Sequence, residues 1–290
     1  MMSAQSPSIS MNEHAAQGFE DTRVAWDTIA PGYDRTNTPT QMWLGNEGLR
    51  RAGLRSGMRF LDVAAGSGAL SIPAARLGAR VLATDQSPRM LQLLEARAAN
   101  EGLSIETRVM DGHALELDDN SFDIAGSQFG VMLFPDMPKG IREMARVVKQ
   151  GGRLLMSAYG DPHEIDFLGF FVAAIQSVGP EFTGPPMDPV PLPFQLQDRQ
   201  RLRTELASAG LSDIVVETIT ETTSFQTGEA LWEWLIWSNP IVEAVLGHLN
   251  LSLGEREIIQ SSLEGLVRDR ARGSGPAILS NPINIGIGTK

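Results

Sequence analysis

The residues best placed to do chemistry lie in two short stretches, "FLDVAAGSGALS" at Phe60–Ser71 and "LATDQSPRM" at Leu82–Met90. In the first, Asp62 sits inside an apolar run, and Gly66 and Gly68 follow in a turn of small residues. In the second, another apolar run ends at Asp85, 23 positions after Asp62. A glycine turn after a strand lets backbone approach a ligand closely, and a carboxylate ending the next strand can accept both hydroxyls of a ribose. "MDGHAL" at Met110–Leu115 adds Asp111, within reach of an adenine amino group. A nicotinamide dinucleotide fingerprint would need a third glycine where Ser71 stands. A nicotinamide-dependent oxidoreductase is therefore the weaker of two nucleotide-type readings.

The surrounding pattern predicts the elements that must hold these groups. A buried strand is expected at Arg59–Ala64, and further strands at Arg80–Asp85, Ile105–Asp111, Phe122–Gly130 and Arg153–Gly160. Helices are expected at Ala69–Leu77, at Arg89–Asn100 with Ser87 as N-cap and Pro88 leading, and at Met137–Gly152 with a glycine stop. Strands alternating with helices make a parallel sheet covered on both faces, with ligands outside the carboxyl ends of its strands. Upstream, a helix from Asn12 to about Ile29 ends at "APGYD", Ala30–Asp34, and a short one covers Gln41–Ala52; residues 1–10 read as frayed. Beyond Gly160 come an apolar helix, a proline-rich segment, a helix at Asp198–Ala209, a strand at Asp213–Phe225, a helical stretch at Glu229–Arg272 and a last strand at Ile283–Thr289.

Four motifs in this order resemble the class I S-adenosylmethionine-dependent methyltransferases, in particular the methyltransferase type 11 group similar to the ubiquinone/menaquinone biosynthesis C-methyltransferases. They are the glycine turn, Asp85, "MDGHAL" and "FDIAGSQFGVMLFPD" at Phe122–Asp136. The likeness runs from "WDTIAPGYD", Trp26–Asp34, to "RLLMSAYG", Arg153–Gly160. It implies a Rossmann-like, doubly wound, seven-stranded, mostly parallel sheet with the last strand antiparallel, an N-terminal helical lid and helical insertions. On that pattern residues 1–55 form the lid, 56–160 the cofactor-binding core, 161–197 a cap insertion, and 198–290 the rest of the sheet with inserted helices.

The same resemblance implies S-adenosyl-L-methionine as cofactor and S-adenosyl-L-homocysteine as product. Ala64, Gly66 and Gly68 would let backbone approach the methionine part, and Asp62 would help hold its ammonium. Asp85 would take the ribose hydroxyls, with Gln86 and Met90 flanking the adenine and Asp111, Gly112 and His113 lining its edge. Gln128 and Phe129 would close the site near the sulfonium, and Tyr33 would reach down from the N-terminal segment. The family turn usually has glycine where Ala64 stands; alanine fits there if its φ is negative.

Methyl transfer to an unactivated O–H or C–H acceptor calls for a base. His163 in "GDPHEID" is the first candidate and Glu164 the second. Aromatic residues of the N-terminal segment and the insert (Trp26, Tyr33, Phe167, Phe170, Phe171, Phe194) either form a dry lid over a flat substrate or pack the cap onto the sheet. Trp232, Trp234 and Trp237 suit core packing, a dimer contact or a pocket wall. Asp161 and Glu164 are too few for a metal site, and none is expected.

Composition narrows the partners. The net charge of −11 without a Lys/Arg run disfavours nucleic acid. There are no cysteines, hence no disulfides or thiolate sites. The start has no secretory pattern and the longest apolar run, Phe167–Ile175, is far short of the roughly 20 residues of a membrane span, so a cytoplasmic protein is expected. The expected activity is methylation of a small, apolar or aromatic metabolite at carbon or oxygen. A protein or RNA acceptor, and a non-catalytic cofactor binder, are the other readings. A homodimer is compatible with all of these.

Overall fold

A computed structural model describes residues 11–184, 186–272 and 275–290, with residues 11–19 as backbone only. The frayed start expected at residues 1–10 lies outside them.

Seven strands form one sheet in the order β3-β2-β1-β4-β5-β7-β6. They are β1 (Arg59–Val63), β2 (Arg80–Asp85), β3 (Ile105–Val109), β4 (Phe122–Gln128), β5 (Val148–Tyr159), β6 (Ser212–Phe225) and β7 (Ala277–Thr289). β1, β2, β3, β4 and β5 pair in parallel, and β7 runs antiparallel between β5 and β6. The chain thus has the expected Rossmann-like sheet with its last strand reversed. Strand order turns between β1 and β4, so the crevice for a ligand opens beyond Val63 and Gln128. The central strands are apolar on both sides because helices cover both faces; Phe60, Leu61 and Val63 of β1 are all fully buried.

Two helices precede the sheet, α1 (Met11–Thr36) and α2 (Thr38–Ala52). Contrary to the expected stop at "APGYD", α1 continues through Pro31 to Thr36. An interior proline costs about 3 kcal/mol. The turn around it is anchored by tertiary packing: Ile29 and Ala30 are buried, and Gly32 lies so close under Trp237 that a Cβ there would stand 2.1 Å from the indole.

α3 (Ser71–Arg76) and α4 (Pro88–Asn100) follow their strands as expected, and Ser87 Oγ accepts the Met90 N–H at 3.0 Å to cap α4. α5 (Met137–Val147) ends before the expected glycine stop. Gly151, at φ +75°, and Gly152 instead lie within the long β5, which begins at Val148. The C-terminal half adds α6 (Asp166–Gln176), α7 (Arg199–Ser208), α8 (Gly228–Ser238), α9 (Pro240–His248) and α10 (Leu253–Arg270). The single helical stretch expected at Glu229–Arg272 is thus three helices, broken where Asn239 caps α9 ahead of Pro240 and Ser252 forms a capping box with Glu255. A second apolar core holds α6, α8 and α10 against the outer ends of β6 and β7 through Phe171, Trp234, Leu263, Phe225 and Leu279.

Candidate functional site

A cavity of about 730 Å³ opens at the carboxyl ends of β1, β2 and β4. Of the expected cofactor residues, Tyr33, Asp62, Ala64, Gly66, Asp85, Gln86, Met90, Asp111, Gly112, His113, Gln128 and Phe129 all line it. Gly68 does not. Its φ is +102° and a Cβ there would stand 3.0 Å from Leu94, so it serves the packing of the turn against α4.

Asp85 ties the turn to the second strand. Its Oδ2 accepts the Gly66 N–H and its Oδ1 the Ser87 N–H, each at 2.8 Å. A carboxylate has room for about four hydrogen bonds, so lone pairs remain for a ligand's hydroxyls. Burial pushes the Asp85 carboxyl up to about 6 against the pull of those N–H groups. Asp62 is more deeply buried and accepts the Ser71 O–H at 2.6 Å. Burial raises its carboxyl to about 7, Ser71 offsets part of the rise, and the Asp85 charge adds to it. Ser71, where a dinucleotide fingerprint would carry glycine, is therefore occupied in holding Asp62.

Ala64 departs from expectation. Its φ is +56°, in the left-handed region, not negative. Conformations of this kind cost a non-glycine residue about 1–3 kcal/mol and gather at functional sites. Phe129, at φ +58°, is the same case on the opposite wall. Gly130 beside it accommodates the alanine: a Cβ there would stand 2.5 Å from Ala64 Cβ.

The adenine-side wall is more aromatic than the motif suggested. Asp111 Oδ1 accepts the His113 backbone N–H at 2.9 Å and meets its ring Nδ1 at 2.8 Å. The His113 ring thus held lies on Phe134, centroids 4.4 Å apart. Gly112 lies beneath that ring, and a Cβ there would come within 2.5 Å of Phe134. Phe134 was not singled out in the sequence, although it stands in the quoted stretch Phe122–Asp136.

α1 roofs the cavity. Thr22, Trp26 and Tyr33 recur on one helical face and all line it. Asp27 of α1 accepts the Ser87 O–H at 2.5 Å and the Arg89 N–H at 3.2 Å. Asp34 pairs with Arg97 of α4 at 2.6 Å. Below the roof, Tyr33 donates to Gln41 Oε1 at 3.0 Å and Gln128 Nε2 donates to the Gln41 carbonyl at 3.1 Å. Gln128 Oε1 is buried in the cavity wall without a protein partner. A ligand with an N–H donor at this end fits that orphaned oxygen, while the free lone pairs of Asp85 suit the hydroxyls of a ribose at the other.

The expected base does not lie here. His163 is exposed on the turn Pro162–Glu164, its backbone N–H capped by Asp161 at 2.9 Å, and neither it nor Glu164 lines the cavity. The insert aromatics do not line it either. Phe171 is core, and Phe167 packs edge-on to Trp234 with centroids 5.1 Å apart. Trp232 and Trp234 are buried in the second core.

Comparison with known proteins agrees with this geometry. A family model described as "Methyltransferase domain" matches residues 61–156, the span from Leu61 to Met156 that carries most of the cavity wall. An uncharacterised protein of Mycobacterium tuberculosis is 31% identical over 215 residues, 73% of this chain and 74% of that protein. The demethylmenaquinone methyltransferase of Clavibacter sepedonicus is 36% identical over 143 residues, 47% of this chain and 57% of that enzyme. The chain carries a methyltransferase domain and is a class I S-adenosylmethionine-dependent methyltransferase. It is an enzyme whose cofactor is S-adenosylmethionine. The fold alone is shared with phosphoethanolamine N-methyltransferase 2 of Haemonchus contortus, solved with S-adenosylhomocysteine; the TM-score is 0.52 at 18% identity, covering 90% of this chain and 60% of that one.

Proposed function

We propose that this methyltransferase acts on a small, apolar or aromatic metabolite at carbon or oxygen, with the cofactor held in the cavity beneath α1. The observation that carries the reading is the aromatic-bearing helix that roofs that cavity. This helix is pinned to α4 by Asp27 and Asp34, and Trp26, Tyr33, Phe129 and Phe134 face inward. An RNA acceptor needs a charge-matched approach, which a chain with net charge −11 disfavours.

The residue roles follow from the geometry. Asp85 takes the ribose hydroxyls, Gln86 and Met90 flank the adenine, and Asp111, Gly112 and His113 present its edge with Phe134 behind them. Gly66 offers its backbone to the methionine part, next to Ala64. Gln128 Oε1 and, through the wall it builds, Asp62 receive the ammonium. S-adenosylmethionine supplies an electrophilic methyl carbon on a sulfonium. Phe129 and Tyr33 exclude water at the end of the cavity near Gln128, which favours an attack in which charge is neutralised.

The test is incubation with S-adenosylmethionine labelled in its methyl group and a cell extract split into small-metabolite and macromolecular fractions. Label should enter the metabolite fraction and be lost with Asp85→Ala. Label confined to the macromolecular fraction would overturn the small-molecule reading.

A further inference from the structure

Several buried polar groups that the cofactor cavity leaves unused gather on one face of the outer sheet. Register places Tyr159, Ile283 and Ile219 in one row across β5, β7 and β6. Two residues further along, on the same face, Glu221 stands opposite Asn281, and two beyond that Thr223 stands opposite Leu279. β7 and β6 here project past Tyr159, the last residue of β5, so this face overhangs the ligand end of the sheet. Glu221, Thr223 and Asn281 are 3%, 5% and 1% exposed. Yet Glu221 Oε1, Thr223 Oγ1 and both amide atoms of Asn281 have no protein partner. Leaving a buried polar atom unmade costs about 1–3 kcal/mol, and here four occur together.

The surroundings are aromatic. Tyr159 packs against Phe167 with centroids 5.6 Å apart, and Phe225, next on the Glu221 face, packs against Trp234 at 5.9 Å. The cluster also adjoins the cofactor cavity. Phe129, a cavity wall, stacks on Tyr159 at 4.5 Å, and the Glu221 charge reaches the phenols of both Tyr159 and the cavity-lining Tyr33. The titratable groups facing Glu221 are thus Tyr33 from α1 and Tyr159 from β5, with the Asn281 amide opposite on β7. Burial pushes the Glu221 carboxyl up to about 7; the Asn281 amide opposite lies near enough to offset part of the rise, although it makes no well-formed hydrogen bond.

We propose that Glu221, Thr223 and Asn281 bind the methyl acceptor by a hydroxyl or amine group, and that Glu221 is the catalytic base for it. This rests on the methyltransferase reading and revises its acceptor atom, from carbon or oxygen to an oxygen or nitrogen with a hydrogen to lose. The heteroatom lone pair forms the bond to the methyl carbon, the carbon–sulfur bond breaks with its electron pair left on sulfur, and the acceptor proton passes to the Glu221 carboxylate. Asn281 and Thr223 offer both donors and acceptors to the rest of the polar group. A carboxyl whose affinity for protons is raised by burial is suited to accept one near neutral pH.

Two measurements test this. The first compares Glu221→Gln with wild type for S-adenosylhomocysteine affinity by calorimetry and for label transfer to the metabolite fraction. Affinity should stay within about twofold while transfer falls at least about 30-fold; transfer within threefold of wild type would overturn the role of Glu221 and leave the methyltransferase reading standing. The second needs no turnover. With S-adenosylhomocysteine present, phenol and benzylamine are compared with toluene, which has the same ring and no donor, by saturation-transfer NMR. At least one donor-bearing probe should bind, toluene should not, and Glu221→Gln and Asn281→Leu should each abolish the difference. Equal binding of all three, binding of none, or binding unchanged in both variants would overturn the proposal. Absence of any label transfer by a wild type that binds S-adenosylhomocysteine would count against the small-molecule reading, while the probe measurement would still decide the inference.

Discussion

Asp85 Oδ2 accepts the backbone N–H of Gly66 at 2.8 Å, so one carboxylate both fixes the shape of the glycine turn and faces the ribose side of the cavity. Replacing it with asparagine keeps the size but removes the charge and one acceptor. Hydrogen bonds to a charged group contribute about 1.5–3 kcal/mol. Asp85→Asn should therefore weaken S-adenosylhomocysteine binding by about 10–100-fold in a calorimetric titration. Affinity within twofold of wild type would remove Asp85 from the nucleoside site.

The buried carboxyls set an unusual pH dependence of stability. Asp62, Asp85 and Glu221 are raised to about 7, 6 and 7 by burial, above their ordinary values. Between about pH 4 and pH 7 the ligand-free folded protein binds more protons at these sites than the unfolded chain does, so their contribution to stability grows as pH falls through that window. Asp111, held down by His113, and Glu143, held down by Arg146, act oppositely and lose their contribution in more acid solution. The unfolding free energy of the ligand-free protein, read from urea titration, should thus be higher at pH 5.5 than at pH 7.5 by at least what a shift of one unit at one site is worth, about 1.4 kcal/mol. The Asp62→Asn variant should reduce the difference. An unfolding free energy that rises with pH over this range would contradict the assignment.

Ala64 at φ +56° carries left-handed strain that glycine would not. The relief of about 1–3 kcal/mol is offset by about 0.4–1 kcal/mol of extra unfolded-chain entropy. Ala64→Gly should raise the melting temperature by a few degrees and leave cofactor affinity the same or better. Gly130→Ala should do the reverse, because its Cβ would meet both Cβ and the carbonyl oxygen of Ala64, at 2.5 and 3.0 Å. Paired thermal melts check both directions.

Gly112 underlies the Phe134 ring against which His113 stacks. Gly112→Ala should force that ring aside and weaken S-adenosylhomocysteine binding by about 10-fold, equivalent to about 1.4 kcal/mol. The same titration applied to Phe134→Ala should show a similar loss if the ring backs the adenine, and none if it does not.

Much of this site was legible because it is local. A strand, a turn and a carboxylate at the next strand's end are fixed by short-range pattern, and twelve of the thirteen residues carried over by resemblance line one cavity. What was not legible depends on packing between distant segments. Pro31 reads as a helix stop, yet α1 runs through it because Ile29, Ala30 and Gly32 are held by tertiary contacts. His163 looked like a base from its place after the fifth strand, but the turn that carries it faces solvent. Glu221 lies inside "DIVVETITETTSF", where only parity offers a signal. Phe225 points inward, so Thr223 and Glu221, two and four residues before it, must as well. Only the long-range pairing of β6 with β7 and the helices above them show that this inward face is closed.

The most direct measurement is a crystal structure with S-adenosylhomocysteine bound. The expected result places the ribose hydroxyls on Asp85, the adenine between Met90 and the His113–Phe134 wall, and the ammonium on Gln128 Oε1, with the sulfur nearest Phe129 and Tyr33. Binding outside this cavity, or with the homocysteine end directed away from Gln128, would contradict the account.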